Sequence, residues 1–224
     1  MTTALFAVTG ADRLPLADGS DHPCGFWPEE LATPHRVMRA AGVDIVVATP
    51  GGVPPTADPA GMAPEWRSYL DTVQDLAAPR VLEDADPEAY DLLFVPGGHA
   101  PMVDLAESAA FGALVRAMVE FGRPVAAVCH APAAFLPAAA ADGGWLFSGY
   151  RMTAFTNEEE GDTGLRERMV WLAEDRLRAA GGMFSASSRP WGEHVVVDRT
   201  LHTGQNPASA GPLARGLLDT VGVR

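Results

Sequence analysis

The segment "RPVAAVCHAPAAF", residues 123 to 135, sets a thiol and an imidazole side by side between an apolar run and a proline. Val125 to Val128 reads as a buried strand, and Pro132 with its neighbouring alanines reads as the start of a helix. Cys129 and His130 therefore fall on a sharp strand-to-helix bend, a nucleophile elbow that projects its side chain out of the backbone. The positive end of a helix favours thiolate over thiol, so the expectation is an exposed and acidified sulfur. His130 is placed to act as a base, or to be oriented by an acid. A free cysteine is most often a small buried hydrophobe, and it is the bend that argues for chemistry here.

A second strand, "DLLFVPGG" (91–98), runs into Gly97-Gly98. Gly98 has no Cβ, so its N–H can approach a reacting oxygen and, with the N–H of His130, form an oxyanion hole. His99 follows directly and is expected to line the pocket mouth. Ligands in parallel sheets gather beyond the carboxyl ends of the strands, which is where both bends fall.

The other elements must deliver these two strand ends. "ALFAV" (4–8) and "VDIVVA" (43–48) read as buried strands, and 28–42 reads as a helix. Pro28 suits its first turn, Glu29 and Glu30 its positive end, and Gly42 its C-cap, while Pro34 would kink it or move its start. Residues 51 to 64 read as a Gly/Pro-rich surface excursion, and 108–122 as an amphipathic helix. The polar stretch 155–164 precedes an expected helix over 165–182. Residues 194–203 read as two strands meeting at Asp198-Arg199, and Asn206 with Pro207 would cap and open a last helix. Strands alternating with helices give an α/β fold with a mostly parallel sheet covered on both faces.

The 224 residues suit a single domain over 1–224. A net charge of −13 argues against nucleic-acid and membrane partners. No apolar run is long enough to span a bilayer, and the N-terminus lacks the basic start of a secretory leader, so a cytoplasmic location is expected. The two cysteines, Cys24 and Cys129, make no disulfide framework, and Cys24 is expected in a flexible loop without a role. His22, His35 and His194 have no metal-binding spacing, and no cofactor or metal motif is present.

"DLLFVPGGHAPMVDL", "RPVAAVCHAPAAF", "TAFTNEEE" and "LHTGQNPAS", with the early "FWPEELATPHRVMRAAG", resemble the DJ-1/PfpI superfamily, most nearly its Hsp31-like branch, also described as type 1 glutamine amidotransferase-like. The likeness runs in order over nearly the whole chain and implies a flavodoxin-like sandwich. It implies that a glutamate of the first helix approaches the sulfur; register assigns this to Glu30 rather than Glu29. A carboxyl beside a thiolate should have a raised pKa. The resemblance also implies a Cys-His-acid triad. Glu160 fits best, with Glu158 and Glu159 still open, and at least two of the three acids are expected to be merely solvated. Trp27 and Trp191 could shape the pocket; His202, Gln205 and Asn206 fall in a matching motif.

The activities implied are glutathione-independent glyoxalase (methylglyoxal to lactate), of the D-lactate dehydratase type, together with protein deglycation and chaperoning. Relatives are commonly homodimers. A small aldehyde or ketoaldehyde is the expected substrate, with no cofactor. Other classes use the same residues: a redox sensor or stress chaperone, an amidase- or peptidase-like hydrolase, or an enzyme on another small electrophile. The late His-x-Glu pair of true glutaminases is missing, since the corresponding segments read "GEHV" and "LHTG".

Overall fold

The computed structural model describes residues 2–223. Seven strands form the central sheet: β1 (Thr3–Ala7), β2 (Asp44–Thr49), β3 (Arg80–Val81), β4 (Leu92–Val95), β5 (Val125–Val128), β6 (Val195–Asp198) and β7 (Leu201–Gly204). Their order is β6-β7-β5-β4-β1-β2-β3. All neighbours run parallel except β6 and β7, a hairpin that turns at Arg199 with φ 55°. Every residue of β4 and β5 is buried, as continuous apolar runs require when helices cover both faces.

Ala126 and Val128 of β5 pack into the layer formed by α1 (Pro28–Ala40), flanked by the short α2 (Pro64–Leu70), and α6 (Pro207–Thr220). Val125 and Ala127 face the opposite layer, with α3 (Ala109–Glu120) and the aromatic group Phe111, Phe135 and Phe147. The fold is the mostly parallel, flavodoxin-like α/β sandwich expected. Register then fixes the site. Leu93 pairs with Val125 and Val95 with Ala127, so the glycine turn after β4 lies beside the bend after β5.

Several boundaries differ from the sequence reading. Pro34 sits inside α1 without moving its start from Pro28. The segment after Cys129 is a five-residue 3-10 turn, Ala131–Phe135, and not an α-helix. The polar stretch contains a helix, α4 (Asn157–Thr163), whose Thr156 and Glu159 form a reciprocal capping box. The single helix expected over 165–182 is a 3-10 turn at Arg166–Arg168 followed by a short helix, α5 (Ala173–Ala179). Cys24 is 1% exposed and packs with Leu14, Leu16 and Met102, because the loop carrying it folds under a small hairpin instead of moving freely. Among the described residues no helix is long and apolar enough to cross a membrane.

Candidate active site

Cys129 has φ 63°, a left-handed conformation rare outside glycine. Its backbone is held from both sides: its N–H donates to Gly204 O at 2.9 Å, and its carbonyl accepts from the Phe155 N–H at 2.8 Å. Such strain persists where the surroundings over-determine it. The side chains then form a chain of contacts. Cys129 Sγ lies 3.2 Å from His130 Nδ1, and His130 Nε2 lies 2.6 Å from Glu160 Oε2. The other carboxyl oxygen, Oε1, lies 2.9 Å from His99 Nε2. The His99 and Phe155 rings sit against His130, with centroids at 4.0 and 4.4 Å.

Glu30 approaches the sulfur from α1 and is fully buried, while Glu29 is partly exposed. Gly97 makes this approach possible. A Cβ there would overlap Glu30 Oε2, and would come within 2.5 Å of Val128 O and 2.6 Å of Cys129 Cβ. Gly98, at φ 94°, turns its backbone so that its N–H, like that of His130, acts on the sulfur. The segment after Cys24 closes the other side through Trp27 N–H to Gly97 O at 2.8 Å.

The electrostatics correct the expected ionisation. Cys129 is only 5% exposed. Burial first, then the charge of Glu30, pushes its thiol well above the usual range, against the pull of the Gly98 and His130 amides. The 3-10 turn that follows is too short to supply the helix dipole assumed from the sequence. Burial pushes the Glu30 carboxyl up to about 8. Neither of its oxygens has a partner of full hydrogen-bond geometry, and the thiol and Gly97 N–H counter the shift only in part. Burial, then His99, lowers the His130 imidazole, opposed by Glu160. Burial raises Glu160 as well, but His130 and His99 together outweigh it and hold that carboxyl well below the usual carboxylate range.

Of the three consecutive acids, only Glu158 is exposed. Glu159 is fully buried and accepts from Thr156 N–H and Oγ1 at Oε2, and from Trp191 N–H, Gln205 Nε2 and Asn206 Nδ2 at Oε1. The sequence reading missed this hub, although Thr-x-x-Glu is a legible capping signal. Asn206 is not the cap expected of it. Its amide donates to Glu159 and to Gly192 O, and it accepts from Ser209 Oγ. Trp191, at φ 61°, sets its ring on Phe155, which in turn covers His130. His202 lies in β7 without a hydrogen-bond partner, away from the sulfur's contacts. Among the described residues, His99, His130 and Glu160 bring three potential metal-donor atoms within 4.8 Å, but both Nε2 atoms already bond the carboxylate.

The DJ-1/PfpI family model matches residues 25–220. The chain is 34% identical over 192 residues to "Glutamine amidotransferase-like class 1 domain-containing protein 1" of Bos taurus, covering 84% of each chain. It is 34% identical over 146 residues to "Probable glutathione-independent glyoxalase hsp3103" of Schizosaccharomyces pombe, covering 62% of this chain and 56% of that one. The solved structure of glyoxalase III from Candida albicans superposes with a TM-score of 0.85 at 24% identity, over 97% of this chain and 96% of that one, which speaks to the fold. The chain belongs to the DJ-1/PfpI family.

Proposed function

We propose that the protein is a cysteine-dependent enzyme acting on small reactive carbonyls, converting methylglyoxal to lactate without glutathione. One observation carries this: a fully buried carboxyl, Glu30, with a pKa raised to about 8, lies against the only thiol that also contacts an imidazole. A proton carrier with a pKa near neutrality is what proton transfer between adjacent carbons requires. The chain contains no lysine, since all 16 of its basic Lys and Arg residues are arginine, so a lysine Schiff base is not an alternative route to the aldehyde. The slight exposure of Cys129 suits a small substrate.

In this reading the thiol of Cys129 adds to the aldehyde carbon as its proton passes to His130, giving a hemithioacetal. The amides of Gly98 and His130 hold the developing oxyanion, and Glu160 steadies the imidazolium. The protonated Glu30 gives its proton to that oxyanion, and the carboxylate so formed takes the proton from the former aldehyde carbon while the His130 imidazolium protonates the neighbouring carbonyl oxygen. Glu30 returns the proton to the neighbouring carbon of the resulting enediol as His130 takes the hydroxyl proton from the former aldehyde carbon, leaving a lactoyl thioester. Water cleaves the thioester, releasing lactate and restoring the thiol. The redox-sensor reading fits less well, because Cys129 is only 5% exposed.

The test follows methylglyoxal loss and lactate release by the wild-type protein, Cys129→Ala and Glu30→Gln. Wild-type turnover should fall by about a hundredfold or more in each variant. A folded wild-type protein that forms no lactate, or turnover that survives Cys129→Ala, would sink the reading.

A further inference from the structure

The central sheet ends in two different edges. β3 is two residues long and follows Pro79, which blunts it. β6 offers three consecutive valines in unbroken register, with no lysine, proline or bulge to guard them. Gln205 N–H donates to His194 O at 3.0 Å, so Val196 and Asp198 turn their backbone groups to β7, and Val195 and Val197 turn theirs away from the sheet. Arg151, with 64% of its side chain exposed, donates to Val197 O at 3.3 Å, which leaves that carbonyl a second lone pair. Val197 and Met183 are 44% and 58% exposed, and with Phe184 and Val195 they line a groove of about 690 Å³ along the edge.

The charges flanking the valines choose the occupant. Outward from Val196 the chain reads Val195, His194, Glu193 in one direction and Val197, Asp198, Arg199 in the other. Laid antiparallel against itself with Val196 opposite Val196, the segment sets His194 opposite Asp198 and Glu193 opposite Arg199 at both ends. The same register sets Val195 opposite Val197, the two residues whose N–H and C=O face outward, so each such pair exchanges both its bonds. Sliding by one residue brings outward groups against inward ones. Sliding by two leaves His194 or Asp198 opposite Val196. Two copies of a chain with net charge −13 repel overall, and along this segment each acid of one meets a basic group of the other.

We propose that β6 is a self-complementary edge on which a second copy of this chain docks, joining two seven-stranded sheets across a two-fold axis at Val196. The inference does not depend on the chemistry of Cys129. Sedimentation equilibrium of the full chain over a concentration series should find a dimer, twice the 23.6 kDa of one chain. Glu193→Arg sets arginine against arginine, and Arg199→Glu sets glutamate against glutamate. Each should weaken the dimer by about tenfold. An equal mixture of the two variants restores opposite charges at both ends and should dimerise like the wild type, which no folding defect would produce. Val197→Pro removes an outward N–H that β7 does not use, and should yield a monomer with an unchanged far-ultraviolet spectrum. It decides alone if Arg199→Glu does not fold. A wild-type chain that stays monomeric throughout overturns the proposal. So does a dimer that survives Glu193→Arg and Val197→Pro, which would place the contact on another face, and so does a mixture of folded variants that remains monomeric.

Discussion

Gly97 is the residue on which the approach of acid to sulfur depends. It gives no side chain to the site, yet the space a Cβ would take is filled by Glu30, Val128 O and Cys129 Cβ. Two of these belong to the end of β5 and to the strained Cys129, which cannot move without breaking the bonds to Gly204 and Phe155. Gly97→Ala should therefore destabilise the fold by about 1–3 kcal/mol in urea unfolding and slow Cys129-dependent turnover in the folded fraction. An alanine variant with wild-type midpoint and rate would show that Glu30 yields freely. At this scale the sequence was informative about identity and poor about charge. Cys129, His130, Gly98, Glu30 and Glu160 were all legible from the bend, the glycine turn and the family motifs. The ionisation of Cys129 was not, because the burial of the sulfur and of Glu30 beside it is set by chain segments roughly a hundred residues away in sequence.

Among the elements, α4 carries the largest gap between what its residues suggest and what they do. At least two of its three adjacent acids read as solvated, but the partners that bury Glu159 come from Trp191, Gln205 and Asn206. Only the contact within the element, the capping box, was readable in advance. The strands, by contrast, were readable nearly to the residue, since two covered faces demand unbroken apolar runs. The hub predicts a concrete effect. Glu159→Ala leaves five donors, four of them buried, without their shared acceptor and frees Trp191 from the bond that helps hold it at φ 61°. The variant should lose about 3–5 kcal/mol in urea unfolding. The loop around residues 187–192 should also become more sensitive to limited proteolysis, because Gln205 and Asn206 lose the partner that fixes them beneath it. A loss below about 1 kcal/mol, with unchanged proteolysis, would mean that water replaces the carboxylate without cost.

For the molecule as a whole, these buried groups squeeze stability from both sides of neutrality. Glu30 keeps its proton to about 8 in the fold, against 4.5 when solvated. The folded state thus binds the extra proton, so this contribution is full below 4.5 and is lost as pH rises toward 8. His35 and His202 behave oppositely. Burial lowers each to about 4 from 6.5, so the unfolded chain binds protons that the fold does not, and stability present above 6.5 falls as pH drops toward 4. Glu160, held below the usual range, adds to the acid loss once the solvent protonates carboxylates. The combination places maximum stability at about pH 6–7, with each group changing it by roughly 1.4 kcal/mol per pH unit inside its own window. Melting temperatures across pH 4 to 9 check this, and two variants separate the limbs. Glu30→Gln should flatten the alkaline side and leave the acid side intact. His202→Phe, which replaces a buried ring lacking hydrogen-bond partners, should relieve part of the acid side only. If Glu30→Gln melts with the wild-type slope above pH 7, Glu30 is already ionised in the fold, and the proton carrier on which the proposed chemistry depends is not there.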